Sequence, residues 1–167
     1  MATERQARGF RERTSNDNDV NNRHQRFLAG SGPVQQQAEV VLLGGLADKL
    51  GVTLERKRFD LDDGWFEVDG FCESPSIVCE VWAHLGMPKA GQKHKVMTDA
   101  AKLLLTKSIL GDETRCILLF ADPKAASSFL GSTWMANWLR EFKIDVEVMD
   151  LPQDLKARLT KPPRRPR

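Results

Sequence analysis

The chain has 167 residues, 41% of them hydrophobic and 29% charged, enough for one compact domain with a real core and too few for two. No apolar run approaches the roughly 20 residues that a bilayer span requires. The opening MATERQARGFRERTSNDND has no apolar stretch behind its charges, so neither a membrane helix nor a secretory signal is expected, and a cytoplasmic protein is. The formal net charge of +2 is unevenly spread, because Lys156, Arg158, Lys161, Arg164, Arg165 and Arg167 crowd the end of the chain with no acid among them, and the remainder is mildly acidic. A basic, proline-interrupted end of this kind suits contact with a phosphate backbone, Arg164, Arg165 and Arg167 foremost, and equally suits a solvated tail. Cys72, Cys79 and Cys116 are odd in number and lack a C-x-x-C spacing, which argues against a disulfide framework and a zinc site and for reduced core thiols.

Residues 1–30 are rich in Arg, Asn, Asp and Gln without an apolar period, which predicts a disordered basic and polar arm. After Ser31-Gly32-Pro33 the spacing of Val34, Ala38, Leu42, Leu46 and Leu50 predicts a helix stopped by Gly51 and weakened by Gly44 and Gly45. TLERKRF reads as a strand with a charged face, Asp60 to Gly64 as a turn, and WFEVDGFCE as a second strand. IVCEVWAH follows the Glu73-Ser74-Pro75-Ser76 turn and is so apolar that it reads as a central strand buried on both faces. Short connections make these three an antiparallel meander.

A helix from about Gln92 to Leu110 carries the stripe Val96, Ala100, Leu103, Leu104 and Ile109. RCILLFAD is a further buried strand, Ser127–Phe142 a helix turning Phe129, Trp134, Trp138, Leu139 and Phe142 to the core, and DVEVMDL the last strand. The four-residue spacing of Trp134 and Trp138 assigns them to packing rather than to base stacking. The expected architecture is α/β, a central mixed sheet of about five strands flanked by helices. Residues 31–152 would form the domain and 153–167 a basic tail.

Glu80 sits in the middle of the most apolar strand, where an unpartnered carboxylate costs several kcal/mol or takes up a proton. An acid there needs a cation, a hydrogen-bond network or a metal. Asp69 ends an apolar stretch on the neighbouring strand, and the two together could hold a hard ion such as Mg²⁺, which takes few protein carboxylates and keeps several waters. The alternative is that Glu80 pairs with a lysine of the following helix and Asp69 caps a turn. His84 shares the strand parity of Glu80 and could serve as base or ligand at the sheet's end, or be an exposed polar residue. Gln92 could reach the same pocket or a phosphate, or simply mark a helix start.

The succession EVDG, a turn, IVCEVWAH and GQKHKVMTDAAKLLL resembles the PD-(D/E)XK superfamily of restriction-endonuclease-like nucleases, over roughly residues 33–151 in element order. The resemblance implies a three-layer restriction-endonuclease-like fold with Asp69 and Glu80 binding the metal and Glu39, on the preceding helix, completing the site. One departure is plain. The superfamily's lysine, two residues after the Glu, is here Trp82, so the cation would come from the following helix, Lys95 or Lys93 being the substitutes. Lys95 also stands four residues before Asp99, the spacing of an ordinary surface ion pair. The resemblance implies a hydrolase using Mg²⁺ or Mn²⁺ to cut phosphodiester bonds in DNA, as an endonuclease or exonuclease, with Lys95 steadying the transition state. The alternative, favoured by Trp82, is an inactive nucleic-acid-binding or scaffolding module, acting as a homodimer or as a subunit of a larger complex.

Overall fold

The structure, a computed structural model, describes residues 32–160. The arm expected over residues 1–30 and the arginines Arg164, Arg165 and Arg167 lie outside the described residues. In chain order the elements are α1 (Pro33–Leu50), β1 (Glu55–Leu61), β2 (Gly64–Cys72), β3 (Ile77–Trp82), α2 (Ala90–Leu110), β4 (Arg115–Phe120), α3 (Pro123–Leu130), α4 (Trp134–Glu141), β5 (Ile144–Val148) and α5 (Gln153–Leu159). The five strands form one sheet in the order β1-β2-β3-β4-β5. The first three pair antiparallel and the last three parallel, a mixed sheet as expected. No helix among the described residues is long and apolar enough to cross a membrane.

The helical layers follow from strand handedness. The two parallel steps, β3 to β4 and β4 to β5, move the same way across the sheet, and right-handed crossovers then put their connecting helices on one face. On that face Val78, Trp82, Leu118 and Phe120 pack with Val96 and Leu103 of α2, Phe129 of α3 and Leu139 of α4. Strand side chains alternate, so Ile77, Cys79, Ile117 and Leu119 point to the opposite face, where Ala38, Leu42 and Leu46 of α1 and Leu155 of α5 cover them. The result is three layers, with β3 and β4 buried in the middle. Glu80 shares its parity with Val78 and Trp82 and therefore lies under α2.

Several sequence expectations need correction. The helix expected over Ser127–Phe142 is two helices broken at Gly131–Thr133. Asp122 caps α3 by accepting a bond from Lys124 N, and Thr133 caps α4 by accepting one from Ala136 N. The break resets the helical phase, so Met135, Ala136 and Leu139 face the core, while Trp134 is 65% exposed and Phe142 is also exposed. Ile109 is exposed as well, at the solvent end of α2. The segment 153–167 is not wholly tail, because α5 occupies its first part and buries Leu155. The thiols of Cys72, Cys79 and Cys116 are free, the last two buried. Gly45 admits Met149, whose Cε would lie 2.7 Å from a Cβ at that position; at Gly44 no atom comes within 4 Å.

Candidate metal and phosphate site

Asp69 owes its position to a β-bulge. Between the pairs Glu55↔Phe71 and Lys57↔Val68, the single residue Arg56 of β1 faces both Asp69 and Gly70 of β2. An extra residue of this kind disrupts the ladder and re-aims a side chain. Val68 packs into the α2 face. Two residues on, a Cβ at Gly70 would point the other way, 2.6 Å from both Cys79 Sγ and Leu43 Cδ1. The inserted residue lies between them. Gly70 is also where the β2–β3 ladder ends, its pairs being Gly70↔Cys79, Phe71↔Val78 and Cys72↔Ile77. Beyond it Asp69 reaches across and accepts a hydrogen bond from Val81 N through Oδ2 at 2.9 Å. Its Oδ1 lies 3.5 Å from Arg56. Asp69 thus ties the two strands together at a fork, rather than capping a turn.

Glu80 lies on β3 at that fork and is only 4% exposed. Its cation comes from α2. Lys102 Nζ lies 2.6 Å from Glu80 Oε1 and 3.4 Å from Asp99 Oδ1, and donates to the carbonyl of Glu67 on β2 at 3.2 Å. The contact with Glu80 is close but off line, leaving Oε1 a buried oxygen without a well-directed hydrogen bond. Burial pushes the Glu80 carboxyl well above its ordinary value and Asp69 adds to this, with Lys102 pulling it back. Lys102 is held protonated above the usual lysine range, because burial, which would lower it, is outweighed by Glu80, Asp99 and Asp69. Asp99, itself buried, stands between two lysines, Lys102 and Lys95, the latter at 2.9 Å.

The other residues singled out in the sequence divide into two groups. Glu39, half-buried on α1, is near enough to Asp69 that burial and this neighbour raise its carboxyl, against Gln35, Arg56 and Lys95. Lys95 is paired with Asp99, yet its side chain is 65% exposed and its ammonium lies 6.0 Å from the Trp82 ring centroid, at the outer edge of the cluster. His84 rests on the same ring, with centroids 4.5 Å apart; burial and Lys95 lower its pKa. Gln92 is used elsewhere, accepting a hydrogen bond from Lys89 N at the start of α2. Lys93, half-exposed, makes no ion pair among the described residues. Lys95→Ala is expected to raise the pH at which His84 titrates, since a nearby positive charge is removed, and to cost only a few tenths of a kcal/mol, because the lysine is exposed and Asp99 keeps Lys102. An imidazole NMR titration with a urea melt checks both.

Lys102 and Arg56 were not singled out from sequence. Lys102 lies seven residues after Lys95, two turns along the same helix face, and a buried Glu80 demands a cation from that helix.

The donor atoms suit a hard divalent ion: carboxylate oxygens from Asp69 and Glu80, the latter with an oxygen no hydrogen bond satisfies. No group of three or more His, Cys, Asp or Glu side chains among the described residues is placed to hold a metal. Compared with protein-family models, with curated proteins and with solved structures, the chain matches none.

Proposed function

We propose that the β2–β3 fork is the centre of a metal-dependent nuclease built on a restriction-endonuclease-like scaffold, hydrolysing phosphodiester bonds in DNA. The observation that carries this reading is a buried Glu80 close enough to a bulge-presented Asp69 for its charge to raise the Glu80 carboxyl, with Lys102 of α2 on Glu80 and Lys95 one step out on Asp99. The succession of helix, three-strand meander, helix and parallel strand supports the scaffold. Asp69 and Glu80 would hold Mg²⁺ or Mn²⁺, with Glu39 as a further ligand or as a group that orients them. A bound ion of this kind polarises the phosphate and acidifies a water.

The chain's own groups do the rest. Val81 N–H fixes the Asp69 carboxylate, Arg56 balances its charge from β1, and Lys95, exposed at the edge, would donate to a phosphate oxygen. Nucleic acid is then the partner, held in part by the basic end of the chain, in a cytoplasmic protein acting alone, as a homodimer or within a larger complex.

A second reading has its own observation. The Lys102–Glu80 pair already supplies a cation to the buried acid, and Trp82 stands where a lysine would, so the fold could serve as a nucleic-acid-binding module without chemistry. Incubating the purified chain with plasmid and single-stranded DNA, with Mg²⁺, Mn²⁺ or a chelator, decides between them. Cleavage that the chelator stops is expected; binding without cleavage in any metal favours the module.

A further inference from the structure

We propose that Lys102 is the resident cation of the Glu80 oxygen, and that a divalent ion is taken up there only by exchange with the lysine ammonium. This rests on the reading of Glu80 as a metal ligand. The ammonium has three N–H bonds to place, and three oxygens from three elements surround it: Glu80 Oε1 of β3 at 2.6 Å, the Glu67 carbonyl of β2 at 3.2 Å and Asp99 Oδ1 of α2 at 3.4 Å. The ammonium therefore already stands at the Glu80 oxygen that the ion would use. Mg²⁺ requires its ligands at roughly 2.1 Å, so an ion on this oxygen would stand beside the ammonium, and in a buried setting the repulsion between the two charges favours the departure of one.

The two partners are unequally able to move. Glu80 has a side chain only 5% exposed, on the central strand, while Lys102 is 29% exposed on a flexible four-carbon stem that can swing its charge to water. Asp99 lies one turn before Lys102 and also binds Lys95, so a displaced ammonium remains beside the site. Glu80 Oε1, buried and without a well-directed hydrogen bond, is the atom this exchange leaves to the incoming ion.

Mn²⁺ binding to the full chain, read from the loss of the free-ion EPR signal, tests the exchange apart from any cleavage. Lys102→Met should bind Mn²⁺ about tenfold more tightly than the wild type, within the usual range of coupled binding, and Lys102→Met/Glu80→Gln should lose that gain. Mg²⁺ should raise the melting temperature of Lys102→Met more than that of the wild type. Should Lys102→Met fold poorly, Lys102→Gln keeps an amide donor near Glu80 and carries the same expectation. The ¹⁵N-lysine spectrum of the wild type gives an independent measure, in which a Lys102 ammonium protected from exchange should lose its protection as Mg²⁺ is added.

Equal Mn²⁺ affinity in wild type and both lysine variants, lost in Glu80→Gln, overturns the exchange and keeps the metal site. A protected ammonium that Mg²⁺ leaves unchanged while Mn²⁺ binds at Glu80 overturns it too. No binding in any protein overturns the exchange and the metal reading together.

Discussion

Glu80→Gln is expected to lose metal-dependent cleavage by about 100-fold or more, the scale of removing one positioned electrostatic group, while leaving the protein folded. Glutamine keeps the shape of the side chain and an oxygen that can accept from Lys102, so the three oxygens around that ammonium survive and only the charge is gone. Glu80→Ala should lose as much activity and in addition lower stability by about 1–3 kcal/mol, the usual cost of leaving a buried polar partner unmade. The larger penalties known for broken buried ion pairs are not expected, because Lys102 is partly exposed and can turn its charge to solvent. Cleavage assays with Mg²⁺ and urea unfolding of all three proteins separate chemistry from folding. Full cleavage by Glu80→Gln would remove Glu80 from the reaction; loss of stability in Glu80→Ala with no cleavage by any protein would leave a structural ion pair in a binding module.

The part of this site that was legible in the sequence is the part that burial dictates. IVCEVW is apolar at every position except Glu80, so its burial and its need for a cation follow from the pattern, and strand parity puts it on the face of Val78 and Trp82. Which lysine answers that need does not follow, because Lys93, Lys95 and Lys102 all lie on α2 and the choice depends on how far along β3 the helix sits. Chain proximity favoured Lys95; the packing of Val96, Ala100 and Leu103 against the sheet brings Lys102 to Glu80 instead. The bulge at Asp69 left no pattern at all, since one added residue changes the facing of neighbours without changing composition. On the same face of the sheet, one uninterrupted stripe from Phe129 to Phe142 concealed a break that Gly131 and the Thr133 cap impose, and with it the exposure of Trp134.

Gly70→Ala should destabilise the protein by about 1–3 kcal/mol, the range for overfilling a packed interior, and should reduce cleavage as well. The added methyl would stand 2.6 Å from Cys79 Sγ and 2.6 Å from Leu43 Cδ1, with Leu54 Cβ at 3.5 Å. Leu43 can rotate its terminal methyl away. Cys79 has less freedom, because it is fully buried and is the ladder partner of Gly70 itself, so either its thiol changes rotamer or the two strands part at the fork. Parting the strands moves Asp69, whose carboxylate is set by the bond from Val81 N across the same gap. The clash therefore reaches the site through the backbone, without touching a charged group.

Two further variants make the argument checkable by urea unfolding. Cys79→Ala in the Gly70→Ala background removes the sulfur that the new methyl meets, so part of the lost stability and cleavage should return, a coupling that independent sites would not show. Gly44→Ala, in α1 with no atom within 4 Å of the added carbon, should raise stability by up to about 1 kcal/mol through helix propensity alone. Wild-type stability and cleavage in Gly70→Ala would mean that the bulge tolerates a side chain, and that something other than the absence of one at position 70 holds Asp69 in the fork.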